Sequence, residues 1–542
     1  MTMDVRGKTI VVMGLGESGV AVSEFLARRG ARVIATDAKT EAELGSSRDR
    51  GIAGGAPVLT RARELSQLRA LGVEVVLGGH PPELLRTADL IVLSPGVPPT
   101  LDVLAEARRL GVPIFGEVEV AARFLSTRAV PLIGVTGTNG KTTVTAWIGD
   151  LLTRCGYCAH VGGNIGRALV RVLEEVHDAR CFLVAELSSF QLETSETLRP
   201  HVAVVTNIAP DHLDRHGSME AYIAAKRRIF RNQTEEDWAV LNADDPIVRA
   251  MAEATPARVL FFSRRAEADF DRGIFLRGED LVLRWREGAD PGHEHVLAHR
   301  SDIPLRGLHN VENALAALAA TLAAATLSRA PHEPRELPLD SPAIPQGTPP
   351  WGLQSREVLL SLARSLPLRE ALRAFPGVEH RLEWVAQIDG VDYYNDSKAT
   401  NVASTLTALQ ALEGPIILIL GGRDKGDDFT RLRPLVAERV AHVLVIGEAA
   451  EKIRAALEAV VPVESCATLE EAVRMARRLA RPGSGTRPAI SRSGGDPRVV
   501  LLSPACASFD MFENFEHRGR VFKDIVREMA RTSPEASYEG EK

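Results

Sequence analysis

Ten residues, Gly134 to Thr143 (GVTGTNGKTT), constrain this chain more than any other stretch. The apolar run VPLIGV leads into a glycine-rich turn, and the turn ends in Lys-Thr where a helical pattern begins. Strand, tight turn and helix in that succession belong to a parallel α/β sheet, with the turn open to ligand at the carboxyl edge. Gly137 and Gly140 permit main chain to come close to a phosphate, and the amides of Thr138, Asn139, Gly140 and Lys141 can face one concavity. The helix adds its positive end. Lys141 is then placed for the β- and γ-phosphates and the Thr142 hydroxyl for Mg²⁺, with Thr143 beside it in the first turn. The spacing departs from G-x-x-x-x-G-K-[ST], whose first glycine would fall on Val135.

A magnesium ion held through one hydroxyl also needs a carboxylate. The run CFLVAE ends a strand in Glu186, where such an acid is expected; a solvated strand end is the alternative. The next run, HVAVVTNIAPDH, brings Asp211 and His212 to the same sheet edge, although a single histidine is more often structural. Upstream, GLGESG is a G-x-G-x-x-G with Asp37 eighteen residues after its last glycine, which suits a second nucleotide or a diphosphate and its ribose.

The 542 residues allow about three or four domains. Apolar runs in a β-α-β pattern place a Rossmann-like α/β domain at 1–126 and the phosphate-loop domain, a parallel or mixed sheet, at 127–377. A second Rossmann-like α/β domain is expected at 378–542. VENALAALAATLAAATL reads as a buried helix. Two stretches break the pattern and read as loops: a proline-rich insertion at about 328–366, with seven prolines between Pro331 and Pro350, and a Gly/Ser-rich one at about 481–498. With 65 Lys+Arg against 71 Asp+Glu, there is no basic excess to suggest a nucleic-acid partner. No run reaches the roughly 18 apolar residues of a membrane span. The five cysteines are sparse and odd in number, which fits a reducing compartment better than a disulfide framework. Cys155 and Cys158 form one C-x-x-C with no second pair to complete a zinc site. A cytoplasmic monomer is expected.

Taken together, TNGKTT, VGGNIG, ELSSFQLE, YNDSKATN and LSPACASFDMFENFEHRG resemble the Mur ligases, ATP-dependent enzymes that add amino acids to the UDP-linked peptidoglycan precursor. That family's loop is one residue shorter than the common form, which accounts for the displaced glycine. The strings favour the branch that adds D-glutamate. The resemblance implies that ATP phosphorylates the carboxylate of UDP-N-acetylmuramoyl-L-alanine and that the amine of D-glutamate attacks the acyl phosphate. It implies Thr142 and Glu186 for one Mg²⁺, and His212 with a carbamylated Lys226 for a second. Without it, Lys226 would read as a solvated helix lysine. Asn310 and Asn313, at i and i+3 on one helix face, suit the nucleoside, a cap and a surface amide being the alternative. The resemblance adds Arg381 at the γ-phosphate and Asp396 at the ribose, in a site completed by closure. For the UDP-linked substrate it implies Ser18, Asp37, Lys39, Gly96, Asn164 and Ser188, with Glu17 a departure. For the amino acid it implies Lys398, Thr400, Lys425, Ser508 and Phe515, with Arg423 and Asp424 a departure beside Lys425. The lysines and hydroxyls suit a dicarboxylate.

Three other readings stay open on the residues alone. One is a related ligase for another amino acid, including a folylpolyglutamate synthase. A second is an NAD-dependent oxidoreductase using GLGESG. The last is a nucleotide-binding module without turnover.

Overall fold

The computed structural model describes all residues other than 1–2, 42, 44–60, 127–129, 165, 179, 266–268, 287–291, 328–355, 413, 425, 481–498, 534–535 and 539–542. Lys425, the proline-rich run 331–350 and the Gly/Ser-rich stretch therefore lie outside the described residues. The chain forms two compact units, Met1–Pro304 with His309–Phe375, and Leu305–Leu308 with Pro376–Lys542. Three sheets, five-, nine- and seven-stranded, organise them.

The first sheet is wholly parallel, in the order Glu74–Leu77, Arg32–Asp37, Thr9–Met13, Leu90–Leu93, Ile114–Gly116. Its central strands are continuous apolar runs, as strands covered on both faces must be. Strand order reverses between Thr9–Met13 and Leu90–Leu93, so GLGESG opens at the switch point of the sheet. Gly19 must be glycine there: a Cβ would lie 1.8 Å from the Gly14 carbonyl oxygen.

In the central sheet, Arg258–Ser263, Trp238–Asn242, Val202–Val205, Leu132–Thr136, Phe182–Glu186 and Ala159–Gly163 run parallel in that order, with Ala159–Gly163 at the edge. Beyond Arg258–Ser263 the sheet continues through Arg272–Arg277 into two antiparallel strands, Asp280–Trp285 and His293–His299. The helix Leu308–Ala325 is buried along almost its whole length, as its Ala/Leu composition requires. The third sheet is parallel through Val463–Ser465, Val440–Ile446, Ile416–Gly421, Val499–Leu502 and Val391–Asn395, and two antiparallel strands, Glu383–Ile388 and Ala536–Tyr538, close it. Among the described residues no helix is long and apolar enough to cross a membrane.

Two expectations are corrected. The end of the 328–366 stretch is not loop: Arg356–Ser365 is a helix that buries Leu359, Leu360 and Ala363, because REVLLSLARS carries its apolar residues at helical spacing. The cysteines are not all thiols either: Cys158 and Cys181 are disulfide-bonded, leaving Cys155, Cys466 and Cys506 free and buried. Residues 158 and 181 lie 23 apart in sequence and become neighbours only through parallel pairing of two strands.

Candidate functional site

The first unit gathers its polar groups at the carboxyl edge of the central sheet. Strand Leu132–Thr136 is buried throughout and delivers the chain into Gly137 at φ 145° and then Gly140 at φ 82°, which starts the helix Lys141–Arg154. Both glycines meet close neighbours. A Cβ on Gly137 would sit 1.9 Å from Thr206 Oγ1, and one on Gly140 would sit 2.4 Å from Asn313 Oδ1.

The following strand end braces the loop. Asn207 Oδ1 accepts from Asn139 N–H at 2.8 Å, its Nδ2 donates to the Asn139 carbonyl at 3.1 Å, and Thr206 Oγ1 donates to the same carbonyl at 2.6 Å. Thr138 Oγ1 lies 3.1 Å from the Tyr222 hydroxyl and accepts from Ala209 N–H at 2.9 Å. Lys141 Nζ donates to the Thr138 carbonyl at 2.8 Å. Thr206, Asn207 and Tyr222 escaped the sequence reading. The NIA run beside the loop was a signal for Asn207, but Tyr222 is 84 residues from Thr138 and carries no local mark.

Glu186 ends the neighbouring strand and is 3% exposed. Thr142 Oγ1 donates to its Oε2 at 2.8 Å and Asn164 Nδ2 to its Oε1 at 3.0 Å. Lys226, expected on residue type alone to be solvated, is instead buried on the helix Met219–Arg227. Its Nζ donates to the Gly137 carbonyl at 2.7 Å and lies 3.5 Å from Thr136 Oγ1. Burial, reinforced by the Lys141 charge, lowers its pKa to about 6, against weaker opposing pulls from Asp211 and Glu186. The surroundings thus disfavour the charged form of the amine. His212 adopts φ 53°; its Nε2 is 3.5 Å from Asp211 Oδ2, and its ring meets Phe190 at 4.9 Å. Asn310 and Asn313 are both buried, joined by a 3.0 Å bond from Asn313 Nδ2 to Asn310 Oδ1. Ser188 caps the helix Ser189–Glu193 in a reciprocal box with Gln191.

On the first sheet, Asp37 accepts from Leu15 N–H at 2.7 Å and Lys39 N–H at 2.9 Å, fixing the glycine turn against its own strand. A carboxylate retains acceptor capacity beyond these two bonds. Ser18 lies in the first turn of the helix Glu17–Ala27, half-buried, while Lys39 and Gly96 are exposed.

The second unit assembles three strand ends. Asp396 is buried, accepts from Ser503 Oγ at 2.8 Å and from Leu382 N–H at 3.2 Å, and burial raises its pKa to about 7 against the pull of Arg381. Lys398 Nζ lies 5.4 Å from the Phe515 ring centroid, and Ser397 Oγ donates to the Phe515 carbonyl at 2.7 Å. Thr400 N–H donates to the Lys398 carbonyl at 2.9 Å, and Ser508 is buried at a turn where its carbonyl accepts from Phe512 N–H at 2.8 Å. Arg518, also missed by the sequence reading, ties these loops together. Its fully buried guanidinium donates to the Ser397 carbonyl at 2.8 Å, to Ser397 Oγ at 3.0 Å and to the Cys506 carbonyl at 3.1 Å.

Three family models match the chain: "Mur ligase MurD-like, N-terminal domain" over residues 59–116, "Mur ligase middle domain" over 135–321 and "Mur ligase, glutamate ligase domain" over 380–506. The chain is 42% identical over 524 residues to a UDP-N-acetylmuramoylalanine–D-glutamate ligase of Acidobacterium capsulatum, covering 97% of each. It is 41% identical to the same-named ligase of Geotalea uraniireducens, covering 97% of this chain and 99% of the relative. Among solved structures, UDP-N-acetylmuramate-alanine ligase MurC of Thermotoga maritima matches with a TM-score of 0.52 at 19% identity, covering 96% of this chain and 100% of that one, a likeness of fold.

Proposed function

Because the chain belongs to the Mur ligase family, we propose that it is an ATP-dependent ligase that joins D-glutamate to UDP-N-acetylmuramoyl-L-alanine, a cytoplasmic step of peptidoglycan precursor synthesis. The observation that carries this reading is the wiring of the phosphate loop to Glu186 through Thr142, beside the buried Lys226 amine bonded to the Gly137 carbonyl.

A carboxylate is a poor electrophile, and transfer of the γ-phosphoryl group gives it a leaving group. The loop amides and Lys141 bind and neutralise the phosphates as charge develops on the transferred group. The amine of D-glutamate then attacks the acyl carbon, phosphate departs and an amide forms. Thr142 and Glu186 are hard oxygen donors of the kind Mg²⁺ takes and would hold one ion, while His212 and a carbamylated Lys226 would hold a second; when bound, the two ions would share the charge of the reacting phosphates. A neutral amine adds CO₂ with loss of a proton, and the lowered pKa of Lys226 favours that form.

In this reading Gly137 to Thr143, Asn310, Asn313, Arg381 and Asp396 serve ATP. Ser18, Asp37, Lys39, Gly96, Asn164 and Ser188 serve the UDP-linked substrate. Lys398, Thr400, Lys425, Ser508 and Phe515 serve D-glutamate. The functional domains correspond to 1–126, 127–377 and 378–542, in a monomer. The test is phosphate release, which should require ATP, UDP-N-acetylmuramoyl-L-alanine and D-glutamate together. Lys141→Ala should abolish it; turnover by that variant, or equal turnover with L-alanine or a diamino acid, would sink the assignment.

A further inference from the structure

The strands Ala159–Gly163 and Phe182–Glu186 pair in parallel with Ala159 opposite Phe182, so Cys158 and Cys181 stand side by side one step before the register begins. The Cys158 carbonyl accepts from Phe182 N–H at 2.8 Å, and the two Cα atoms are 4.5 Å apart. The two cysteines differ in access: Cys158 is an exposed residue and Cys181 is 5% exposed. His160, two residues on and therefore on the same strand face, places Nε2 3.5 Å from Cys158 Sγ. A staple with no further role needs neither an exposed cysteine nor an imidazole beside it.

We propose that Cys158 and Cys181 form a reversible dithiol–disulfide couple in which Cys158 is the attacking thiol, His160 its proton acceptor and a small-molecule disulfide the oxidant. In the reduced chain, Cys158 gives its proton to His160, and the thiolate attacks one sulfur of the small disulfide. One small thiolate leaves, and Cys158 carries a mixed disulfide. Cys181 then loses its proton and attacks the Cys158 sulfur, forming the Cys158–Cys181 bond and expelling the second small thiolate. The two protons lost by the cysteines end on the two released thiolates, so one dithiol is oxidised and one small disulfide is reduced. Cys155, the other member of the C-x-x-C, takes no part: it is buried, and burial pushes its thiol up to about 11.

The bond acts on the edge strand of the central sheet, which among the described residues has a neighbouring strand on one side only. The opposite end of that strand leads into Asn164, whose N–H donates to the Glu186 carbonyl at 2.9 Å and whose side chain donates to the Glu186 carboxylate. Oxidation therefore secures at its start the strand that holds Glu186 at its finish.

The full chain should be equilibrated with dithiothreitol or with glutathione disulfide, denatured and alkylated with N-ethylmaleimide. Five labels are expected after reduction, one for each cysteine, and three after oxidation, on Cys155, Cys466 and Cys506. Cys181→Ser should trap one glutathione on Cys158, whereas Cys158→Ser should trap none. His160→Ala should slow oxidation about tenfold near neutral pH. Amide exchange across 159–164 should be about tenfold slower in the oxidised protein. Three labels after native dithiothreitol treatment would make the bond a permanent staple, and five after oxidation would mean that the couple does not form. Glutathione on Cys181 would reverse the assigned roles, and a stoichiometric metal released on alkylation would make the cluster a metal site. Each of these results overturns the proposal.

Discussion

Lys226 in the first unit and Lys523 in the second are both buried helix lysines, 2% and 7% exposed, and their surroundings push them in opposite directions. Among the described residues, Lys226 Nζ meets a carbonyl and a hydroxyl and bonds no carboxylate; burial lowers its pKa to about 6. Lys523 Nζ donates to Glu379 Oε1 at 2.9 Å and to Glu383 Oε1, and although burial opposes it, the two acids raise its pKa above the ordinary value. Burial alone therefore does not settle whether a lysine carries charge. The partner does, and it separates a disfavoured ammonium from a supported one.

Substitution should pull the two apart. Lys226→Met should lower phosphate release about 1000-fold, yet leave the urea midpoint unchanged or higher. A lysine whose folded pKa is depressed reduces stability at every pH below its unfolded value of 10.5, and that deficit grows as pH falls toward about 6. Lys523→Met should do the reverse, costing about 3 kcal/mol in urea unfolding because Glu379 and Glu383 lose their shared cation, with phosphate release per folded molecule retained. A smaller effect should come from relieving one orphaned acid: adding Glu383→Gln to Lys523→Met should return about 1 kcal/mol.

The smallest effect concerns pH. Lys523 contributes stability below its unfolded value of 10.5 and loses it as pH rises through the higher folded value. Glu379, lowered chiefly by its bond to Lys523 against burial, contributes above 4.5 and loses that contribution as pH falls through its lower folded value. The gap in unfolding midpoint between wild type and Lys523→Met should be widest between these limits and narrow at both extremes. A gap independent of pH would mean that packing, not the ion pair, makes Lys523 structural.

The phosphate loop was legible because everything it needs lies within ten residues, and a strand, two glycines and a helix start leave little freedom. The Thr142–Glu186 contact was legible at one remove, since a strand ending in an acid beside such a loop must put that acid at the same edge. Burial of Lys226 was not read, although Tyr222 and Lys226 stand at i and i+4 and Tyr222 is in the core. A lysine on the apolar face of a short helix was the available signal. The antiparallel strands Asp280–Trp285 and His293–His299 and the helix Arg356–Ser365 went unread because DLVLRW and HEHVLAH are short and broken by charged or histidine residues, and REVLLSLARS follows a proline-rich run. The Cys158–Cys181 pairing could not be read at all, because adjacency across parallel strands depends on register.

Gly137 and Gly140 have a consequence for how such a chain can change over generations. A methyl at Gly137 strikes the Thr206 hydroxyl and one at Gly140 strikes the Asn313 amide, so neither position accepts even alanine while those neighbours stand. Drift at the loop is therefore locked to drift at residues more than sixty positions away, and these three short segments can be inherited only as one unit.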